Sequence, residues 1–250
     1  MDRNYLTKHW YAYIYDREVI QDDVRHILSI VGDPPLKILE VACGSGRISI
    51  PLAQAGHSVT GFDIDDFMLE RIPGKAAGLT NLNCYKADAI TDDWGEGFDA
   101  VVLSGNVLVN IVTDGDYERA QELFIQKAAS CVHRGGHLYL DFDCVNWPDY
   151  APGENNDRVA LEGTDDIGTF GKYIVISGGY DSKTRVNKGS RRYEITPKGG
   201  ETFTVNVQSV KHFPTYEQVA SWLEKYGWKI EWRNPVSKET FHPIVWAIKK

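Results

Sequence analysis

The spacing of apolar residues changes character twice along the chain. Over residues 5–31, Ile20, Val24, Ile27, Leu28 and Val31 recur at three- and four-residue steps, which predicts helix. The Gly32-Asp33-Pro34-Pro35 cluster stops it. Short apolar runs at 36–41, 58–62, 82–87, 98–103 and 137–142 then read as strands, and helical stretches at 47–55, 66–71 and 114–132 separate them. In the last helix Tyr117, Ala120, Phe124, Ala128 and Cys131 mark one face. Strands that are apolar almost throughout need cover on both faces, so this order predicts an α/β, Rossmann-like, doubly wound and mostly parallel sheet. The pattern changes again after strand five. Residues 145–157 are turn-rich, and three strand-like segments follow between 172 and 211, joined by Asp-Ser-Lys and Thr-Pro-Lys-Gly-Gly. They predict an antiparallel three-stranded insert. A helix at 214–226 and strands at 228–232 and 241–248 complete the chain. The expected plan is one domain over 1–250, with a helical lid at 1–35, a core at 36–142, a flap at 150–213 and a closing segment at 214–250.

Composition narrows the function classes. A chain of 250 residues suits one domain, or one domain with an inserted lobe. Its net charge of −8 disfavours bulk binding to nucleic acid, because little is gained by counterion release. Cys43, Cys84, Cys131 and Cys144 form no C-x-x-C pair, and no histidine pair has ligand spacing, so no metal site is expected. The N-terminus has no apolar leader, and no run of 18 apolar residues occurs, which predicts a cytoplasmic protein without a membrane span. A monomer or homodimer is expected.

Candidate chemistry sits at three successive strand ends. Glu40-Val41-Ala42-Cys43-Gly44-Ser45-Gly46-Arg47 lies where strand one meets its helix, and Gly44 and Gly46 would admit a ligand close to the backbone. A tight structural turn is the competing reading. The dinucleotide fingerprint requires a third glycine where Ser49 stands, and the G-K-[ST] of a phosphate loop is absent. Asp63 ends strand two, where a carboxylate can accept both hydroxyls of a ribose. It can equally cap a helix, although Asp65 and Asp66 are available for that. Asp88-Ala89 ends strand three, where an acid and a backbone N–H can read an adenine edge. A solvated turn is the alternative there.

On these residues the chain resembles the class I S-adenosylmethionine-dependent methyltransferases. LEVACGSGR is similar to their first motif, with Ala42 at a usual glycine, a mild change by size. VTGFDIDDFML, ADAI, FDAVVLSGN and VHRGGHLYLDF resemble the following motifs, over residues 36–142. The resemblance implies S-adenosylmethionine as cofactor. Glu40, Ala42, Gly44, Ser45 and Gly46 would border its amino-acid part, and Asp63 would hold the ribose. Ile64 and Met68 would flank the adenine, Asp88 and Ala89 would meet its edge, and the Ser104 carbonyl would take the ammonium.

The stretch His9-Trp10-Tyr11-Ala12-Tyr13-Ile14-Tyr15-Asp16 is similar to one in glycine N-methyltransferases, as is Ser104-Gly105-Asn106 followed by Asn110. The insert also suits aminosugar N-methyltransferases. This likeness implies methyl transfer to a small molecule, most readily to an amine nitrogen. Tyr13 and Asn106 would be catalytic, and Trp10, Tyr13, Tyr15, Asn106, Asn110 and Asp143 would line the substrate pocket. One departure bears on the substrate: glycine N-methyltransferases carry a carboxylate-gripping arginine just after strand five, where this chain has Asp143. An aspartate repels a carboxylate but pairs with an ammonium or accepts from a sugar hydroxyl. The alternative acceptor is RNA or protein. Lys183, Arg185, Lys188, Arg191 and Arg192 form a basic run in the insert that would serve it.

Overall fold

A computed structural model describes residues 2–17, 22–111, 113, 115–144, 157–234 and 242–250. Trp147 and most of the turn-rich 145–157 stretch lie outside them, as does Phe241. The chain divides into two compact units, Met1–Val19 with Asp149–His212, and Ile20–Pro148 with Phe213–Lys250. They are called here the flap unit and the sheet unit.

The sheet unit contains α2 (Asp22–Val31), β1 (Lys37–Val41), α3 (Ser49–Gln54), β2 (Ser58–Asp63), α4 (Asp66–Leu69), α5 (Ile72–Lys75), β3 (Leu82–Lys86) and β4 (Phe98–Leu103). It continues with α6 (Tyr117–Cys131), β5 (Val132–Asp141), α7 (Tyr216–Lys225), β10 (Trp228–Arg233) and β11 (Ile244–Lys249). The strands order as β10-β11-β5-β4-β1-β2-β3. β1 to β5 pair in parallel, and β11 runs antiparallel between β5 and β10. The apolar runs have a direct cause. In β4, Val101 and Leu103 pack into one cluster with Phe124, Ile125 and Ala128 of α6 and Val219 and Leu223 of α7. Ala100 and Val102 point the other way, into a cluster with Ile27 of α2 and Leu52 of α3. Both faces are covered, so both alternating sets are apolar.

α6 starts at the N-cap Asp116, whose carboxylate accepts from Glu118 N and Arg119 N. The Asp65 side chain caps α4 by accepting from Phe67 N. The N-cap role is therefore taken by Asp65 and not by Asp63.

The flap unit contains α1 (Arg3–Arg17) and a sheet ordered β6-β7-β8-β9, from β6 (Arg158–Thr164), β7 (Phe170–Asp181), β8 (Val186–Thr196) and β9 (Phe203–His212), all antiparallel. The sequence predicts three strands here, and the structure has four. The additional strand, β6, buries only Leu161, so its apolar signal is faint. The helical stretch at 5–31 is likewise two helices, α1 and α2, which belong to different units. α1 packs Leu6, Trp10 and Ile14 with Leu161, Tyr173, Tyr193, Ile195 and Phe203. In the β6–β7 turn, Asp165 Oδ1 accepts from the amides of Ile167 and Thr169, which anchors the turn.

Candidate active site

In the sheet unit, the parallel strands β1 to β5 deliver their carboxyl ends to one edge, where open α/β sheets bind ligands. The turn after β1 crosses that edge. Its backbone is left-handed at Ala42 (φ 59°), Gly44 (φ 54°) and Gly46 (φ 81°). The two glycines serve different ends. A Cβ on Gly46 would come within 3.0 Å of Ile50, so packing fills the space beside it. A Cβ on Gly44 would meet no protein atom within 4 Å, so open space borders the backbone there, as a ligand cradle requires. The expectation that alanine is a mild replacement at position 42 is corrected: its left-handed backbone costs about 1 kcal/mol, which a glycine there would avoid.

Asp63 fastens this turn to the end of β2. Its Oδ2 accepts from Gly44 N at 2.8 Å and its Oδ1 from Asp65 N at 2.9 Å. The Ile64 backbone N–H also bonds to this carboxylate, whose remaining acceptor capacity can take a ligand hydroxyl. Burial pushes its pKa up, against the pull of these backbone bonds. Glu40 is buried at the end of β1 and accepts from Ser49 Oγ. Burial pushes its carboxyl up to about 8, so it carries a proton for much of the neutral range. Ser45 is buried, and its carbonyl accepts from Lys75 Nζ at 2.6 Å. Ile64 is exposed by 62%, whereas Met68 is buried. Asp88 Oδ1 accepts from Ile90 N at 2.8 Å, and the Ala89 carbonyl accepts from Trp94 Nε1 at 3.0 Å and Lys127 Nζ at 2.9 Å.

A second group forms at the ends of β4 and β5. Asp141, buried, accepts from Ser104 Oγ at 2.5 Å, Gly105 N at 3.2 Å and Asn106 N at 2.8 Å. Burial raises its pKa, and these donors oppose the rise. Asn106 is left-handed (φ 64°) and exchanges two bonds with Asp143: its Nδ2 donates to Oδ2 at 2.6 Å, and its Oδ1 accepts from Asp143 N at 2.8 Å. Asn110 is exposed, with Nδ2 3.4 Å from the Gly105 carbonyl. His242 Nδ1 lies 2.7 Å from Asp143 Oδ1. Sequence spacing did not single out His242. Its only signal is its place just before the last strand.

The aromatic candidates belong to the flap unit. Trp10 is 0% exposed, donates from Nε1 to the Gly163 carbonyl at 2.9 Å, and rests on Gly171, where a Cβ would approach it to 2.4 Å. It is a core residue and presents no surface to a substrate, which corrects its expected place in the pocket. Tyr13 and Tyr15 are half-buried. Arg17 lies over the Tyr13 ring at 5.7 Å, and Tyr15 stacks on Tyr11 at 6.0 Å. In the basic run, Arg192 is paired with Asp157 and Glu194.

Residues 38–136 match a family described as a methyltransferase domain. Among curated proteins, glycine N-methyltransferase of Rattus norvegicus is 32% identical over 152 residues, which is 53% of this chain and 50% of that protein. A ubiquinone biosynthesis O-methyltransferase of Chelativorans is 33% identical over 108 residues, covering 42% of this chain and 39% of that one. The chain thus spans about half the length, or less, of the curated relatives it matches. Two solved structures share the fold across nearly all of it. One is an amino pentose methyltransferase from Micromonospora echinaspora with S-adenosylmethionine bound, at TM-score 0.67, 15% identity, and 96% and 95% coverage of the two chains. The other is a sugar N-methyltransferase from Streptoalloteichus, at TM-score 0.70, 17% identity, and 92% and 86% coverage. Residues 38–136 thus match a methyltransferase domain, and the chain shares its fold with a methyltransferase solved with S-adenosylmethionine bound.

Proposed function

We propose that the protein transfers a methyl group from S-adenosylmethionine to the amine nitrogen of a small molecule. The open space beside Gly44, with the Asp63 carboxylate hydrogen-bonded to the same glycine, carries the cofactor half of this reading. Gly44 leaves room for the amino-acid part of the cofactor, and the remaining acceptor capacity of Asp63 takes a ribose hydroxyl. Glu40, Ala42, Ser45 and Gly46 shape the turn. Ile64, which is exposed, and Met68 offer apolar contact to the adenine, with Asp88 and Ala89 at its edge and the Ser104 carbonyl at the ammonium. When bound, S-adenosylmethionine supplies a methyl group on a cationic sulfur, a good leaving group. The protein's task is then alignment and exclusion of water.

The acceptor half rests on Asp141 and Asp143 at the neighbouring strand ends. Two carboxyl groups there favour a cation over a carboxylate, so an amine or aminosugar suits this edge better than glycine. Asn106 holds Asp143 in place. Asn110 lies on the same loop after β4, with its Nδ2 3.4 Å from the Gly105 carbonyl. The names of the relatives, glycine N-methyltransferase and sugar N-methyltransferase, support nitrogen as the acceptor atom. The test is a methyl-transfer screen over primary alkylamines, amino acids and aminosugars, read by mass spectrometry. Methylation confined to amines or aminosugars supports the reading. Methylation of transfer RNA or protein alone overturns it in favour of a macromolecular acceptor.

A further inference from the structure

β11 is the one strand that reverses direction among the five central strands of the large sheet, so it brings a beginning to an edge otherwise made of strand ends. Ile244 stands opposite Asp141, and Phe142 N donates to the Pro243 carbonyl at 3.2 Å. That register puts His242 beside Asp143. Its Nδ1 is 2.7 Å from Asp143 Oδ1, and its Nε2 is 3.7 Å from Asp141 Oδ1, beyond hydrogen-bond reach. The imidazole side chain is 43% exposed, so a solute can reach it. Asp143 is itself fixed on its other side by the two bonds it exchanges with Asn106.

We propose that His242, oriented by Asp143, accepts the proton that an alkylammonium acceptor must lose before its nitrogen can be methylated. The proposal rests on the reading of the protein as an amine methyltransferase. With Nδ1–H donated to Asp143, the lone pair of Nε2 is the free acceptor. An ammonium N–H bond breaks, its electron pair stays on nitrogen, and the proton bonds to Nε2. The freed pair would then be available to the methyl carbon that bound S-adenosylmethionine supplies, and the carbon–sulfur bonding pair would stay with sulfur. The product leaves as a methylated ammonium, and the imidazolium returns its proton to solvent.

The surroundings favour the imidazolium. Asp143 and Asp141 face it from the end of β5, and the more distant Asp23 of α2 adds negative charge, which Arg47 partly offsets at 2.6 Å from Asp23. The bond to Asp143 is the main cause that holds the histidine above its ordinary pKa, and burial opposes it. That upward shift makes the neutral imidazole a stronger proton acceptor.

The test has two arms on the full chain. In the first, the imidazole of His242 is titrated by NMR without ligand, in the wild type and in Asp143→Asn. The expected midpoint lies above 6.5 in the wild type, the ordinary histidine value, and falls in the variant. In the second, methyl transfer to the alkylamine and aminosugar probes is followed against pH. His242→Gln is expected to lose about a hundredfold in kcat/KM at neutral pH. That loss should shrink as the pH approaches the probe's own ammonium pKa, with S-adenosylmethionine affinity unchanged. An unmoved midpoint in Asp143→Asn, or a loss in His242→Gln that is equal at every pH, overturns the proposal and leaves the amine reading standing. Failure to methylate any amine, with the midpoint shift present, overturns both while keeping the hydrogen-bonded pair.

Discussion

In the sheet unit, five parallel strands end at one edge, and each end carries a side chain whose place is set by the chain's direction: Glu40, Asp63, Asp88, Ser104 and Asp141. In the flap unit, four antiparallel strands alternate their ends, and no single edge collects them. There the polar-aromatic residues of α1 divide between core and surface according to helix face. Trp10 and Ile14 go inward, four residues apart, while Tyr13 and Tyr15 remain half-buried. A parallel sheet gathers chemistry by topology. An antiparallel flap places it only by side-chain packing.

Breaking each unit separately tests that contrast, and the largest effect is expected in the flap unit. Trp10→Ala removes a fully buried indole, and the stability measured by denaturant unfolding should fall by about 3–5 kcal/mol. S-adenosylmethionine affinity of the folded protein should be retained. A pocket-lining Trp10 would instead leave stability near wild type and raise KM for the acceptor. In the sheet unit, Asp63→Ala removes hydrogen bonds from a charged acceptor. Isothermal titration should show S-adenosylmethionine binding weakened by about 2 kcal/mol, roughly 30-fold, with the fold intact by circular dichroism. Ala42→Gly is expected to act in the opposite sense. Relief of the left-handed alanine should raise stability by about 0.5–1 kcal/mol, net of the extra freedom that glycine gives the unfolded chain.

Glu40 sharpens the contrast through pH. Its folded pKa of about 8 lies above the ordinary 4.5, so the folded state holds the proton more tightly than the unfolded state. The stability it contributes is complete below about 4.5 and is lost as pH rises through 8. Urea unfolding at a series of pH values should show wild-type stability declining across that window and a flatter profile for Glu40→Gln.

The same contrast explains what the sequence reveals. β1, β2, β4 and β5 were legible because both faces of each strand are covered, and their ends followed from the runs themselves. Asp63 and Asp88 could be read at those ends from local spacing. β6 was not legible, because an edge strand with one buried side chain leaves almost no periodicity. Trp10 was misplaced because the same side chain suits a core and a pocket equally well, and only the approach of Gly171 and Gly163 decides between them. His242 could not be found from spacing, since 99 residues separate it from Asp143 and only the reversed direction of β11 joins them.

The carboxyl edge of the parallel strands is where S-adenosylmethionine is expected to bind. Amide NMR spectra recorded as S-adenosylmethionine is titrated into the full chain test it most directly. The predicted result is saturable shifts at Gly44, Ile64, Ala89 and Ser104, at the ends of β1 to β4. No saturable shift, or shifts confined to β6–β9, would contradict it.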